Sequence, residues 1–170
     1  MGNSFVFHDS VNITHEWYTP KHIFDKLGVK FDLDPATSEL ANETVNAKNI
    51  YTVEDNGLEQ SWFGKVWLNP PYGTQTGHWL KKGLDECYDN NTQIIALVFA
   101  RTDVRWFHDY AIKYDQICMI KGRIKFVRPE TMTAQKKDSG SGSLLLSIGA
   151  DMNKAVQQSG LGHCVRKAVQ

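Results

Sequence analysis

Residues 65–73 read KVWLNPPYG. Val66, Trp67 and Leu68 form a short apolar run, the mark of a buried strand. The strand ends at Asn69-Pro70-Pro71, because proline has no N–H to give to a ladder and holds its own φ fixed. Downstream, QIIALVFA at 93–100 is a continuous β-branched run, as expected of a central strand covered on both faces. Upstream, VKFDLDP at 29–35 reads as a strand that stops at Asp34-Pro35. HWLKKGLDECY at 78–88 and DVRWFHDYAIKY at 103–114 have helical spacing. TPKHIFDKLG at 19–28 reads as a helix with Thr19 as N-cap, Pro20 in the first position and Gly28 closing it. Strands alternating with helices predict an α/β fold with a mostly parallel central sheet and flanking helices.

The other segments are less patterned. Residues 36–61 are polar, with a short strand expected near NIYTV at 49–53. QICMIKGRIKFV at 116–127 reads as a strand or hairpin arm, DSGSGS at 138–143 as a linker and LLLSIGA at 144–150 as a last strand. The expected organisation is one domain over 1–150, with a loop near 121–142 and a polar tail over 151–170. In open α/β sheets ligands bind beyond the carboxyl ends of the strands. Asp34-Pro35 and Asn69-Pro70-Pro71-Tyr72 both fall at such ends, so a single site is expected there.

At 170 residues the chain can build one domain with a full core. Hydrophobic residues are 41% and charged residues 22%, normal for a globular protein. No apolar run reaches the roughly 18 residues of a membrane span, and MGNSFVFHDS lacks the features of a secretory signal. Cys87, Cys118 and Cys164 are far apart, without a C-x-x-C pair, which argues for reduced thiols in a cytoplasm and against a structural zinc. The six histidines show no metal-ligand spacing, so no metal is expected.

The NPPY step suits one kind of chemistry. An exocyclic amine on a nucleobase is a weak nucleophile, because its lone pair is delocalised into the ring. Two acceptors on its two N–H bonds would turn it toward tetrahedral geometry. The Asn69 side-chain carbonyl can supply one and the Pro70 backbone carbonyl the other, with Pro71 holding the chain extended. Tyr72 could stack on a base swung out of a duplex. Positioning and hydrogen bonding would carry the step. The same residues could also make no more than a stiff turn with a packed tyrosine.

Formal net charge is zero, but its distribution is uneven. Lys121, Arg123, Lys125, Arg128, Lys136 and Lys137 face a single acid, Glu130, so residues 121–137 carry +5 and the rest of the chain −5. In a strand, Lys121, Arg123 and Lys125 would share one face. With Arg101 and Arg105 they are candidate phosphate contacts, though a solvated edge strand favours lysines as well. RPETMTAQKKDSGSG at 128–142 could be a loop that orders on DNA. Trp62, Trp67, Trp79 and Trp106 read as core, whereas Trp17 could line a cofactor site.

In order along the chain, EWYTP (16–20), FDLDPA (31–36), NAKNIYTVEDNGL (46–58), VWLNPPYG (66–73), ARTDVRWFH (100–108), GRIKF (122–126) and GSLLLSIG (142–149) resemble the phage DNA N-6-adenine-methyltransferase family. The resemblance implies a Rossmann-like, S-adenosylmethionine-dependent enzyme that methylates adenine in double-stranded DNA to N6-methyladenine. A phage or prophage origin and a place in the host cytoplasm are implied too. It assigns catalysis to Asn69, Pro70, Pro71 and Tyr72. It assigns the cofactor to Tyr18, Thr19 and Pro20, to Asp34 and Pro35, and to Asp55, whose carboxylate would approach the cofactor adenine. One departure stands out: related cofactor loops carry glycines after the Asp-Pro pair, and Ala36-Thr37-Ser38 has none. Other readings of NPPY are an amino methyltransferase acting on RNA or a protein glutamine, or an idle DNA-binding relative. Cytosine N4 methylation is close chemistry, typically with Ser before the prolines.

Overall fold

The computed structural model describes residues 17–128, 133–134 and 140–167. Helix α1 (Lys21–Leu27) starts directly after Pro20 and stops at Gly28, which adopts the left-handed conformation with φ 62°. Glycine enters that region without steric cost. Strand β1 (Leu33–Asp34) follows, then α2 (Glu39–Val45) and β2 (Asn49–Ile50). α2 lies in a stretch that periodicity leaves unassigned. It buries only Ala41 and Val45, and it starts at Ser38, whose hydroxyl accepts the Ala41 N–H at 3.2 Å.

Strand β3 (Lys65–Leu68), α3 (Thr76–Asn90) and β4 (Gln93–Phe99) lie where their patterns place them. The helix expected over 103–114 is shorter: α4 (Arg105–Asp109), then a 3-10 turn, Ala111–Lys113. β5 (Gln116–Ile120) ends before the basic segment, so residues 121–126 are not a strand. Alternation survives in part there: Lys121, Arg123 and Lys125 are exposed, while Ile124 and Phe126 are buried. β6 (Val127–Arg128) and β7 (Thr133–Ala134) make a small hairpin. β8 (Ser143–Ile148) is the expected last apolar strand. Beyond it, the stretch read as a polar tail forms α5 (Ala150–Gln158) and β9 (Gly162–Arg166).

The main sheet runs β2-β1-β3-β4-β8-β5-β9. β1, β2, β3 and β4 pair in parallel. β8 pairs antiparallel with both β4 and β5, and β9 antiparallel with β5. The expectation of a mostly parallel sheet is therefore corrected: the long ladders are antiparallel, the longest running from Ile94↔Ile148 to Phe99↔Ser143. β8 returns from the far side of the hairpin and inserts between β4 and β5, opposed to both. A continuous apolar run reports that both faces are covered and carries no information on a neighbour's direction.

β4 divides its side chains between two cores. Ile95 and Leu97 pack with Ile23, Phe24, Trp67, Met152 and Val156, beneath α1 and α5. Ile94, Ala96 and Val98 pack with Val66, Leu68, Trp79, Leu80 and Leu84, beneath α3. Fully burying one such aliphatic side chain is worth about 1.5–3 kcal/mol, which is what keeps helices on both faces. Among the described residues, no helix is long and apolar enough to cross a membrane.

Candidate active site

The parallel strands β1 and β3 end side by side, Leu33 opposite Val66. Asp34, the last residue of β1, and Asn69, the first after β3, therefore reach the same sheet edge. Beyond that edge lies a cavity of about 370 Å³, within the range of small-molecule sites. Its wall brings together Tyr18, Thr19, Asp34 and Pro35 with Asn69, Pro70, Pro71 and Tyr72. Sequence segments up to 54 residues apart thus meet as one site.

At the NPPY step, Asn69 Nδ2 donates to the Trp17 carbonyl at 2.8 Å, and the Tyr72 hydroxyl donates to Asn69 Oδ1 at 3.0 Å. Thr76, the first residue of α3, donates its hydroxyl to the Pro71 carbonyl at 3.1 Å. Among the described residues nothing donates to the Pro70 carbonyl. The Tyr72 ring lies against Phe99, with centroids 4.0 Å apart and planes 17° apart, and meets the edge of Phe126. One ring face is therefore covered, which leaves only the other for the stacking role read from the sequence. Burial raises the Tyr72 phenol far above its ordinary range, so it stays protonated.

Asp34 is only 2% exposed. Burial pushes its carboxyl up to about 7, against the pull of the Ala36 N–H and the Thr37 hydroxyl. Thr19 is also buried, and its Oγ1 has no hydrogen-bond partner among the described residues. An orphaned hydroxyl and a buried carboxyl on one wall are groups that a polar, cationic ligand would satisfy.

Two expected cofactor residues are not on this wall. Pro20 stands at the start of α1. Asp55 is exposed, and its carboxylate accepts the Thr52 N–H at 2.7 Å and the Thr52 hydroxyl at 2.9 Å, which holds it below the ordinary carboxylate range. It braces its own loop. Thr52, Val53, Asn56 and Gly57 form the wall there. Sequence reasoning missed Ser38, Asn56 and Gly57. The signals existed, in the N-cap pattern of Ser38 and the Asn-Gly turn. Trp79, read as core, is both buried and part of the wall, and Trp17 lines it as its loop position suggested.

The basic candidates lie off the cavity. Lys121, Arg123 and Lys125 are exposed on the segment that Phe126 anchors beside Tyr72. Arg101 is paired with Asp103 and Arg105 with Asp109. The Arg128 side chain, Lys136 and Lys137 lie outside the described residues, as does most of the loop expected to order on DNA. Tyr18 and Val127 exchange backbone hydrogen bonds of 3.1 and 2.9 Å. The upstream cavity wall is thereby stitched to the end of the basic segment.

In a comparison with known families, the model of the DNA N-6-adenine-methyltransferase (Dam) family fits residues 8–159. Among curated proteins, none matches the chain.

Proposed function

The chain belongs to the DNA N-6-adenine-methyltransferase family, and from that premise we propose that it methylates the exocyclic amine of an extrahelical adenine in double-stranded DNA, with S-adenosylmethionine as donor. The observation that carries this reading is the shared cavity, where the NPPY step meets the wall built by Tyr18, Thr19 and Asp34. Four parallel strands with the cavity beyond their carboxyl ends support a Rossmann-like architecture.

The residues present fit the cofactor. The Thr19 hydroxyl lacks a partner among the described residues, and Asp34 would gain one from a cationic group. S-adenosylmethionine, when bound, supplies an electrophilic methyl group. Asn69 Oδ1 and the Pro70 carbonyl accept the two N–H bonds of the adenine amine and turn its lone pair toward that methyl. Tyr72 supports the base on its open face. No residue needs to act as a base before attack; orientation does the work. Lys121, Arg123 and Lys125 contact phosphates around the site.

The test is direct. Protein, S-adenosylmethionine and unmethylated DNA are incubated, and the DNA is digested to nucleosides for mass analysis, with Asn69→Ala alongside. N6-methyladenine from the wild type and not from the variant is expected. Methylcytosine would change the base, and unmodified DNA with the cofactor bound would move the acceptor to RNA or a protein amide. Failure to bind the cofactor would indicate an idle relative.

A further inference from the structure

Asn69 is held at both ends. Nδ2 donates a hydrogen bond to the Trp17 carbonyl, 2.8 Å away, and Oδ1 accepts one from the Tyr72 hydroxyl, 3.0 Å away. Tyr72 is in turn fixed by Phe99, whose ring lies 4.0 Å from its own. A carbonyl can only accept, so the Trp17 carbonyl admits only the amide orientation that points Nδ2 at it. A phenolic hydroxyl can donate or accept, and with the amide in that orientation the Tyr72 hydroxyl donates to the oxygen end. The Trp17 carbonyl therefore selects the orientation, and the Tyr72 hydroxyl adds to its hold.

We propose that the Trp17 carbonyl and the Tyr72 hydroxyl are positioning groups that lock the Asn69 amide with Oδ1 toward the target amine, with Phe99 aiming Tyr72. The inference rests on the methyltransferase reading above and adds a role for the Tyr72 hydroxyl separate from ring stacking. An amide oxygen has two lone pairs. Tyr72 uses one and leaves one, and the Pro70 carbonyl has no partner among the described residues. Two open acceptors match the two N–H bonds of an exocyclic amine. An unlocked amide would rotate and present Nδ2, donor against donor, for part of the time. Locking it beforehand removes that loss from the reaction step.

Tyr72→Phe keeps the ring and its stack and deletes the donor. The expected result is a kcat lower by about fivefold to tenfold, one net hydrogen bond's worth, with KM for DNA and for S-adenosylmethionine within about twofold, as for an interaction used in the reaction step. A second readout is independent of turnover. The Asn69 side-chain amide signals in a nitrogen-correlated NMR spectrum, identified by their loss in Asn69→Ala, should shift or broaden in Tyr72→Phe. Phe99→Leu should lower kcat similarly, and the double variant should be no worse than Tyr72→Phe alone. A hydroxyl with only a structural role would lower the melting temperature and leave kcat and the amide signals unchanged, which overturns the proposal. So would a kcat at or above wild type, since the hydroxyl would then be competing with the amine. If the wild type yields no methylated DNA, the functional reading fails, and the amide signals still test the lock.

Discussion

A β-carbon on Gly57 would stand 2.0 Å from the Pro35 carbonyl oxygen and 3.2 Å from the Trp79 ring. The turn after β1 has no glycine of its own in Ala36-Thr37-Ser38. The close backbone approach at this wall is instead provided from across the cavity, by the loop that carries Asn56 and Gly57. That loop is tied down at the same point, where the Trp62 indole donates to the Gly57 carbonyl at 2.8 Å.

Gly57→Ala should therefore push the two loops apart. Overpacking of this kind costs about 1–3 kcal/mol. A lower melting temperature together with weaker S-adenosylmethionine binding by calorimetry is expected. Melting and binding both equal to wild type would show that this contact does not shape the site.

Asp34 sets a pH dependence. Its carboxyl moves from an ordinary 3.8 to about 7 in the fold. The folded state then keeps a proton that the unfolded chain releases between about pH 4 and 7, so this group's contribution to stability is full at the acid end and is lost as pH rises toward 7. At about 1.4 kcal/mol per pH unit, the loss has an upper bound of about 4 kcal/mol. Asp34→Asn should melt higher than wild type at pH 8 and close to it at pH 4.5. Parallel melting curves across this range would reject the assignment. A cationic ligand favours the ionised carboxylate, so wild-type affinity for S-adenosylmethionine should rise from pH 6 to 8 and that of Asp34→Asn should stay flat.

Thr19→Val tests the orphaned hydroxyl. Removing an unpaired buried polar atom should leave the free protein as stable or more stable, by about 1 kcal/mol. If a bound ligand satisfies Oγ1, cofactor affinity should fall about fivefold, the worth of one hydrogen bond. Titration calorimetry separates the two effects, and unchanged affinity would remove Thr19 from the cofactor wall.

The exposed triad Lys121, Arg123 and Lys125 predicts a salt effect. Each phosphate contact contributes about 0.9 to the slope of log affinity against log salt. Changing all three to Ala should flatten that slope by about 2–3, whereas Arg105→Ala, already paired with Asp109, should change it less. An unaltered slope in the triple variant would take the segment off the DNA.

Much of this site is legible without coordinates. KVWL followed by NPPY places a buried strand and the turn that ends it at the cavity, and QIIALVF places the central strand, because burial on both faces leaves its mark in local composition. α2 escapes notice because seven residues with two buried side chains carry almost no period. α5 and β9 escape for a related reason: α5 has only Met152 and Val156 buried, and β9 is an edge strand with mixed exposure. The Asp55 carboxylate has the right chemistry for a ligand, and only the fold reveals that Thr52 takes it.

By itself the sequence determined the α/β class and the sheet edge where Asp34 and the NPPY step gather. These follow from local rules: apolar period and proline geometry. Tertiary structure alone decided that β8 enters between β4 and β5 against both, that Gly57 meets Pro35, and that Trp17 and Tyr72 grip the two ends of Asn69. The sheet order, the Gly57–Pro35 approach and the Trp17 hydrogen bond join segments distant in the chain; Tyr72 lies three residues from Asn69, but its ring is set by packing against the distant Phe99. Such contacts are set by how whole elements pack and by which donors find acceptors, and no local pattern carries that information.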